Sequence, residues 1–340
     1  MHARRWKHWC GEMSEPPQDE AQEREQEESL ARIEAGGIPL SAERRLRELN
    51  GAQRQVGDDG GVGSFTSDLS INGFALCRQL GLTPLSQVMG SSIYQMGYQS
   101  TWGAGYGATI LFELDSLSQA LNEVRGRALV RLGEEARLLG ADAVVGVETR
   151  AGESELGSGA GAGQLALEHM VVGTAVRRAG AKAQQPVLTE LSVAEYAMLL
   201  QGGFEPVGIV AWSAVFFTSY VFGGMIGGGG ALGGGGGGIL GGGSLTMGTQ
   251  NYELREFTQA VYSAREAVMQ QITGQAAALG AAGVVGVKVD HTVRPHTLGG
   301  SVGMREVRGL MVTFTAVGTA IQQHGESTVT APKPTVDLFS

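Results

Sequence analysis

The residues equipped to bind or react are few and scattered. Borderline and soft metals ask for three or four converging nitrogen or sulfur donors. The chain offers His2, His8 and Cys10 near its start, His169 alone, and His291 and His296 five positions apart. The first three could chelate only if their segment orders. A lone histidine in an apolar strand pattern, such as His169, is more often packed than ligating. Glu134, Glu135 and Asp142 are the acidic group that a hard divalent cation would take, although carboxylates late in an exposed helix are usually just solvated. Nucleophilic catalysis would need a nucleophile, a base and an orienting group, and no GxSxG, HExxH or Gly-Lys-Ser/Thr ending occurs. The glycine-rich tract 223–243 therefore reads as a flexible insertion, not a phosphate-binding loop. These residues predict no enzyme and no resident cofactor, with a divalent metal as the open alternative.

What positions these residues is a duplication. The stretch from Ser67 to Val176 returns from Thr189 to Ile321, with LGADAVVGV answered by LGAAGVVGV and VVGTAV by AVGTAI. A repeat of this kind identifies the folding unit. We place an N-terminal extension over 1–63, the first module over 64–180, the second over 186–322 and a C-terminal tail over 323–340. The extension is densely charged, with Leu40, Leu46 and Leu49 at helical spacing and Ser41 as a cap, and predicts a disordered tail leading into one or two short helices.

Each module opens with a capped short helix, begun by Asp68 and Ser70 or by Glu190 and Ser192, and stopped by Gly81 or Gly203 as left-handed residues. A proline follows (Pro84, Pro206), then a strand, expected over Val88 to Gln99 and Val207 to Phe222, with Gly90 as a bulge where the second module has Trp212. The long helix is the clearest element. Leu114, Leu117, Leu121, Val124, Ala128, Leu132, Ala136 and Leu139 alternate by three and four, and the residues from Leu254 to Leu279 repeat the spacing. Gly140 and Gly280 end the two helices. Val-Val-Gly-Val then predicts a short buried strand, and turns over 157–163 and 294–303 lead to a closing strand. The class is α+β: two tandem modules, each a small, mainly antiparallel sheet covered by one long helix plus a short helix.

The run RLGEEARLLGADAVVGVETR, followed by EHMVVGTAV, resembles the YbjQ-like domains, a family labelled as heavy-metal-binding. The likeness extends from about Phe65 to Ile321. It implies a compact α+β unit, and a tendency to self-associate, since single-domain members assemble as closed pentameric rings. It supplies no ligand motif to carry across. The second module departs from the first at the acidic group, with Gly274, Gln275 and Ala282 in place of Glu134, Glu135 and Asp142.

A net charge of −9 and the lack of a Lys/Arg cluster in the modules argue against nucleic acid. Two cysteines cannot build a disulfide framework, so a cytoplasmic setting is expected. No charge lies between Glu205 and Glu253, but a strand followed by the glycine insertion explains that stretch better than a membrane span does. Arg125 and Arg265 stand at equivalent places on the long helices and are the candidates for an oligomer interface. The expected function is a homo-oligomer without catalytic activity, metal or small-ligand binding being the second reading. Either tail could serve as a docking segment for a protein partner.

Overall fold

The computed structural model describes residues 18–58, 65–96, 111–156, 164–178, 185–219, 253–298 and 307–325. His2, His8, Cys10, the glycine insertion and most of the C-terminal tail lie outside them. In chain order the elements are α1 (Gln18–Glu34), α2 (Leu40–Asp58), α3 (Ile71–Gln79), β1 (Leu82–Met96), β2 (Leu111–Glu113), α4 (Asp115–Leu138), β3 (Ala143–Leu156), β4 (Gln164–Arg178), β5 (Val187–Leu188), α5 (Val193–Gln201), β6 (Phe204–Ser219), α6 (Arg255–Ala278), β7 (Gly283–Leu298) and β8 (Val307–Gln323). The strands form two sheets, ordered β1-β4-β3-β5 and β2-β6-β8-β7. Helix-strand-helix-strand-strand thus occurs twice, as the duplication requires.

The local signals act as expected. Ser70 caps α3 by accepting from the Gly73 N–H, and Ser192 caps α5 in a reciprocal capping box with Glu195. Gly81, Gly140, Gly203 and Gly280 all take positive φ, between 65° and 80°, the left-handed stop that a side chain would disfavour. The stripe of α6 buries Ala264, Val268, Ile272 and Ala276 against β6 and β8. Val124, Ala128, Leu132 and Ala136 of α4 are equally buried.

Several strand expectations need correction. The Val-Val-Gly-Val tetrads are only the starts of β3 and β7, which run 14 and 16 residues. Their glycines, Gly146 and Gly286, have φ near 63°, and the β7–β8 register shifts between Val285 and Lys288, so each strand continues past a bulge. The turn placed at 294–303 starts later, because β7 stays paired through Leu298. Pro295 is tolerated because β7 is an edge strand. Pro84 and Pro206 lie inside their strands, the latter at a register shift with β8. Helix α2 begins at Leu40, so Ser41 is not its cap. Gly90 has another reason than a bulge: a Cβ there would lie 1.9 Å from the Ala128 carbonyl oxygen of α4.

Contacts divide the chain into two compact units, one of residues 1–91, 127–149 and 170–187, the other of 92–126, 150–169 and 188–340. In the first, α1 and α2 are longer than the short helices expected, and they are packed. Leu46 and Ile38 are buried, and Gln53 donates to the Leu85 carbonyl of β1. Arg131 of α4 donates to the carbonyls of Ile33, Gly37 and Ser91, placing a cation at the C-terminal end of α1, where the helix dipole favours it. The charged extension is therefore more than a solvated face. The second unit holds the β2-β6-β8-β7 sheet, which is antiparallel throughout, together with the first half of α4.

Candidate functional site

Within this second unit the first module grips the second. Strand β2 pairs with the end of β6, Leu111 to Glu113 opposite Thr218 to Phe216. The chain then turns into α4, and the edge of β6 is met by helix side chains. The Leu114 N–H donates to the Val215 carbonyl at 2.7 Å, and the Val215 N–H donates to Ser118 Oγ at 2.9 Å. Asn122 closes a two-way pair with the Ser213 backbone, both bonds 2.8 Å. At Ala211 the same service comes from α6, where the Gln275 amide accepts from the N–H and donates to the carbonyl, each at 3.1 Å.

This fit follows from pitch. Four residues of helix rise about 6 Å, and two residues of strand advance roughly 6.8 Å. Ser118 and Asn122 therefore meet Val215 and Ser213 in turn. Arg125, three residues on, lies on the same face. It donates to Asn122 Oδ1 at 3.0 Å and to Ser213 Oγ, which also bonds Thr315 Oγ1 at 2.6 Å.

Arg125 is 5% exposed. Burial lowers its guanidinium to about 10, with Glu190 pulling in the other direction, so it stays charged at neutral pH. His169, on β4, is equally buried, and burial followed by the Arg125 charge holds it down at about 4. Burial pushes the Glu190 carboxyl up, against Lys288 3.9 Å away and Arg125. Arg125 Nε, His169 Nε2 and Glu190 Oε2 find no hydrogen-bond partner among the described residues. Arg125 thus has a neutral imidazole and a carboxyl within electrostatic range.

His169 makes the joint between the two modules sensitive to acid. Folded, it binds fewer protons than the unfolded chain between about 4 and 6.5. Its contribution is complete above pH 6.5 and is lost as pH falls through that window, with a slope approaching 1.4 kcal/mol per pH unit. Glu190, shifted upward, works in the opposite sense. His169→Phe, which installs the residue found at the matching Phe314, should flatten the difference between urea unfolding midpoints at pH 7 and pH 5. An unchanged difference would show that His169 is not the group responsible.

The acidic candidates are placed apart in their tasks. Glu134 forms an ion pair with Arg137 on the same helix face at 2.6 Å, which lowers its pKa. Glu135 is buried and accepts from the Met89 N–H of β1 at 2.9 Å, desolvation raising its pKa. This is the same edge position that Gln275 serves in the second module. Asp142 accepts from the Arg178 N–H of β4 at 2.8 Å. The loss of acidity between the modules thus has a structural reading at position 135: an amide bonds both backbone groups where a carboxylate can only accept. His291 and His296 are an odd number of residues apart on β7 and so face opposite ways, and the His296 ring stands edge-on to Phe217. No three His, Cys, Asp or Glu side chains among the described residues are grouped to share a metal ion. Arg265, the counterpart of Arg125, is exposed.

Arg125, expected at an oligomer interface, is buried within one chain against Asn122 and Ser213. Ser118, Asn122 and Ser213 are ordinary polar residues, and only their spacing of four and two, on a helix and on the strand it meets, betrays them. Arg131 had a signal in its replacement by Gln271 in the second module, before which no helical extension is found among the described residues.

The family model of the YbjQ domains, described as "Putative heavy-metal-binding", matches residues 79–179 and 247–324, one segment on each module. A protein of Mycobacterium tuberculosis (strain ATCC 25618 / H37Rv) named as an encapsulin nanocompartment protein is 35% identical over 253 residues, covering 70% of this chain and 86% of that protein. No solved structure matches the chain.

Proposed function

The chain belongs to the YbjQ family, and from that premise we propose that it is a self-associating, non-catalytic building block of a cytoplasmic assembly. The observation that carries this reading is the joint itself. One module presents a helix face and a short strand, and the next presents a sheet edge that they fill. Such a contact, with unlike surfaces on its two sides, can repeat from copy to copy. The relative's name, an encapsulin nanocompartment protein, is in keeping with assembly. Ser118 and Asn122 are spent on backbone bonds, and Arg125 bonds Asn122 and Ser213, which supports a role in holding rather than in turnover. Cys77 is a buried free thiol, as a reducing compartment allows, and no helix among the described residues is long and apolar enough to cross a membrane.

Light scattering on the size-exclusion peak tests the proposal. The expected mass is a multiple of the 35.4 kDa chain. A mass of one chain at micromolar concentration would overturn it.

A further inference from the structure

The joint is used once within the chain, yet both of its halves occur twice. The α4 face of Leu114, Ser118, Asn122 and Arg125 corresponds on α6 to Leu254, Thr258, Tyr262 and Arg265, and the β6 edge around Val215 and Phe216 corresponds on β1 to Ile93 and Tyr94. In the copies that meet, Val215 is fully buried and Arg125 is 5% exposed. In the other copies, Ile93 is 68% exposed, Tyr94 38%, Leu254 38% and Tyr262 65%. Apolar exposure has gathered on the two surfaces that the internal joint shows to be complementary.

The backbone agrees. Strand β1 ends its sheet, with β4 on one side and no described strand on the other. The N–H groups of Gln87 and Met89 point to that outer side, bonding the Thr66 carbonyl and Glu135. Ile93, an even number of residues further along, turns its own N–H and carbonyl the same way. Arg131 takes the Ser91 carbonyl, but at Ile93 no described strand pairs with this edge, and an edge carrying isoleucine and tyrosine invites another chain.

Resting on the self-association proposed above, we propose that the occupant is a second copy of this chain, which lays the first turns of its α6 along the outer edge of β1. Leu254 then stands opposite Ile93 as Leu114 stands opposite Val215, and Arg265 takes the role of Arg125. Tyr262 replaces the amide of Asn122, so this external joint is more apolar than the internal one, as the core of a protein interface tends to be. Because the two surfaces differ, the contact runs head to tail.

Directly opposed residues of such a pair have Cβ atoms about 5 Å apart, within the reach of a disulfide once both are cysteine. In a Cys10→Ser background, the full-length Ile93→Cys/Leu254→Cys double variant should give, on mild oxidation, a ladder of covalent oligomers that reductant collapses, and neither single variant should. Ile93→Asp, at a position exposed in the single chain, should reduce the light-scattering mass to that of one chain with an unchanged far-ultraviolet circular dichroism spectrum. An oligomeric mass without the ladder, and untouched by Ile93→Asp, would overturn this interface while leaving self-association standing. That outcome includes an edge filled by another segment of the same chain. A wild-type mass of one chain would remove both.

Discussion

Gly90→Ala is expected to lower stability by roughly 3 kcal/mol, the upper part of the usual cost of overpacking a core. The added methyl would sit 1.9 Å from the Ala128 carbonyl oxygen and 2.7 Å from the Leu132 nitrogen. Both are backbone atoms on the buried face of α4, so no side chain can swing aside. The strand or the helix must move, and Leu132 and Ala128, both fully buried, lose contacts when it does. A suitable control lies on the same helix: at Gly133 a methyl would meet nothing within 4 Å. Gly133→Ala should therefore raise stability by up to about 1 kcal/mol, through the lower entropy cost of alanine in a helix interior. Urea unfolding followed by circular dichroism measures both. If Gly90→Ala unfolds within about 0.5 kcal/mol of the wild type, α4 does not approach β1 as closely as described.

The same glycine shows how far the sequence could be read. Its difference from Trp212 was visible, and a glycine in a strand pattern signals either a bulge or a close approach of backbone. Strand periodicity carries no information on the distance to a helix, so the choice between the two needed the packed structure. What was legible rests on local chemistry. The Ser70 and Ser192 caps, the four left-handed glycine stops and the helix stripes depend on residues within a turn or two of one another. The stripe was less reliable at its ends: Leu139 is buried, whereas its counterpart Leu279 is 46% exposed.

Strand length and strand exchange were not legible. Bulges at Gly146 and Gly286 interrupt the alternation of β3 and β7, so the apolar tetrad looked like the whole strand. Strand β2 is three residues long and precedes α4 in the first module, yet it pairs with β6 of the second. Nothing within a three-residue segment can indicate a partner about a hundred positions away. The candidate site was half legible for the same reason. Arg125 stood out because Arg265 repeats it, but the environments of the two arginines are opposite, and equivalence in sequence did not carry over to equivalence in burial.

That contrast leads to the second large expected effect. Arg125→Ala should destabilise the protein by roughly 3 kcal/mol, the cost of a cavity left by a long buried side chain together with hydrogen bonds lost at Ser213 and Asn122. Arg125→Met tests what the arginine supplies. Its guanidinium is held at about 10 because burial disfavours the cation more than Glu190 favours it, so the charge is kept at a net electrostatic cost. Methionine retains most of the stem, and Ser213 Oγ still has Thr315 while Asn122 still has the Ser213 backbone. Replacing a buried charge with an apolar group of similar volume is often close to neutral, and Arg125→Met should recover most of what the alanine loses. In the Ile93→Asp background, which keeps the copies apart, Arg265→Ala at the exposed counterpart should leave the unfolding midpoint within the scatter of ordinary surface substitutions, about 0.5 kcal/mol. If methionine proves as damaging as alanine, the charge itself holds the joint, and the Glu190 carboxylate then becomes the partner to replace next. If Arg265→Ala destabilises the isolated chain as Arg125→Ala does, the two modules use their arginines alike, and the internal joint cannot serve as the template for an external one.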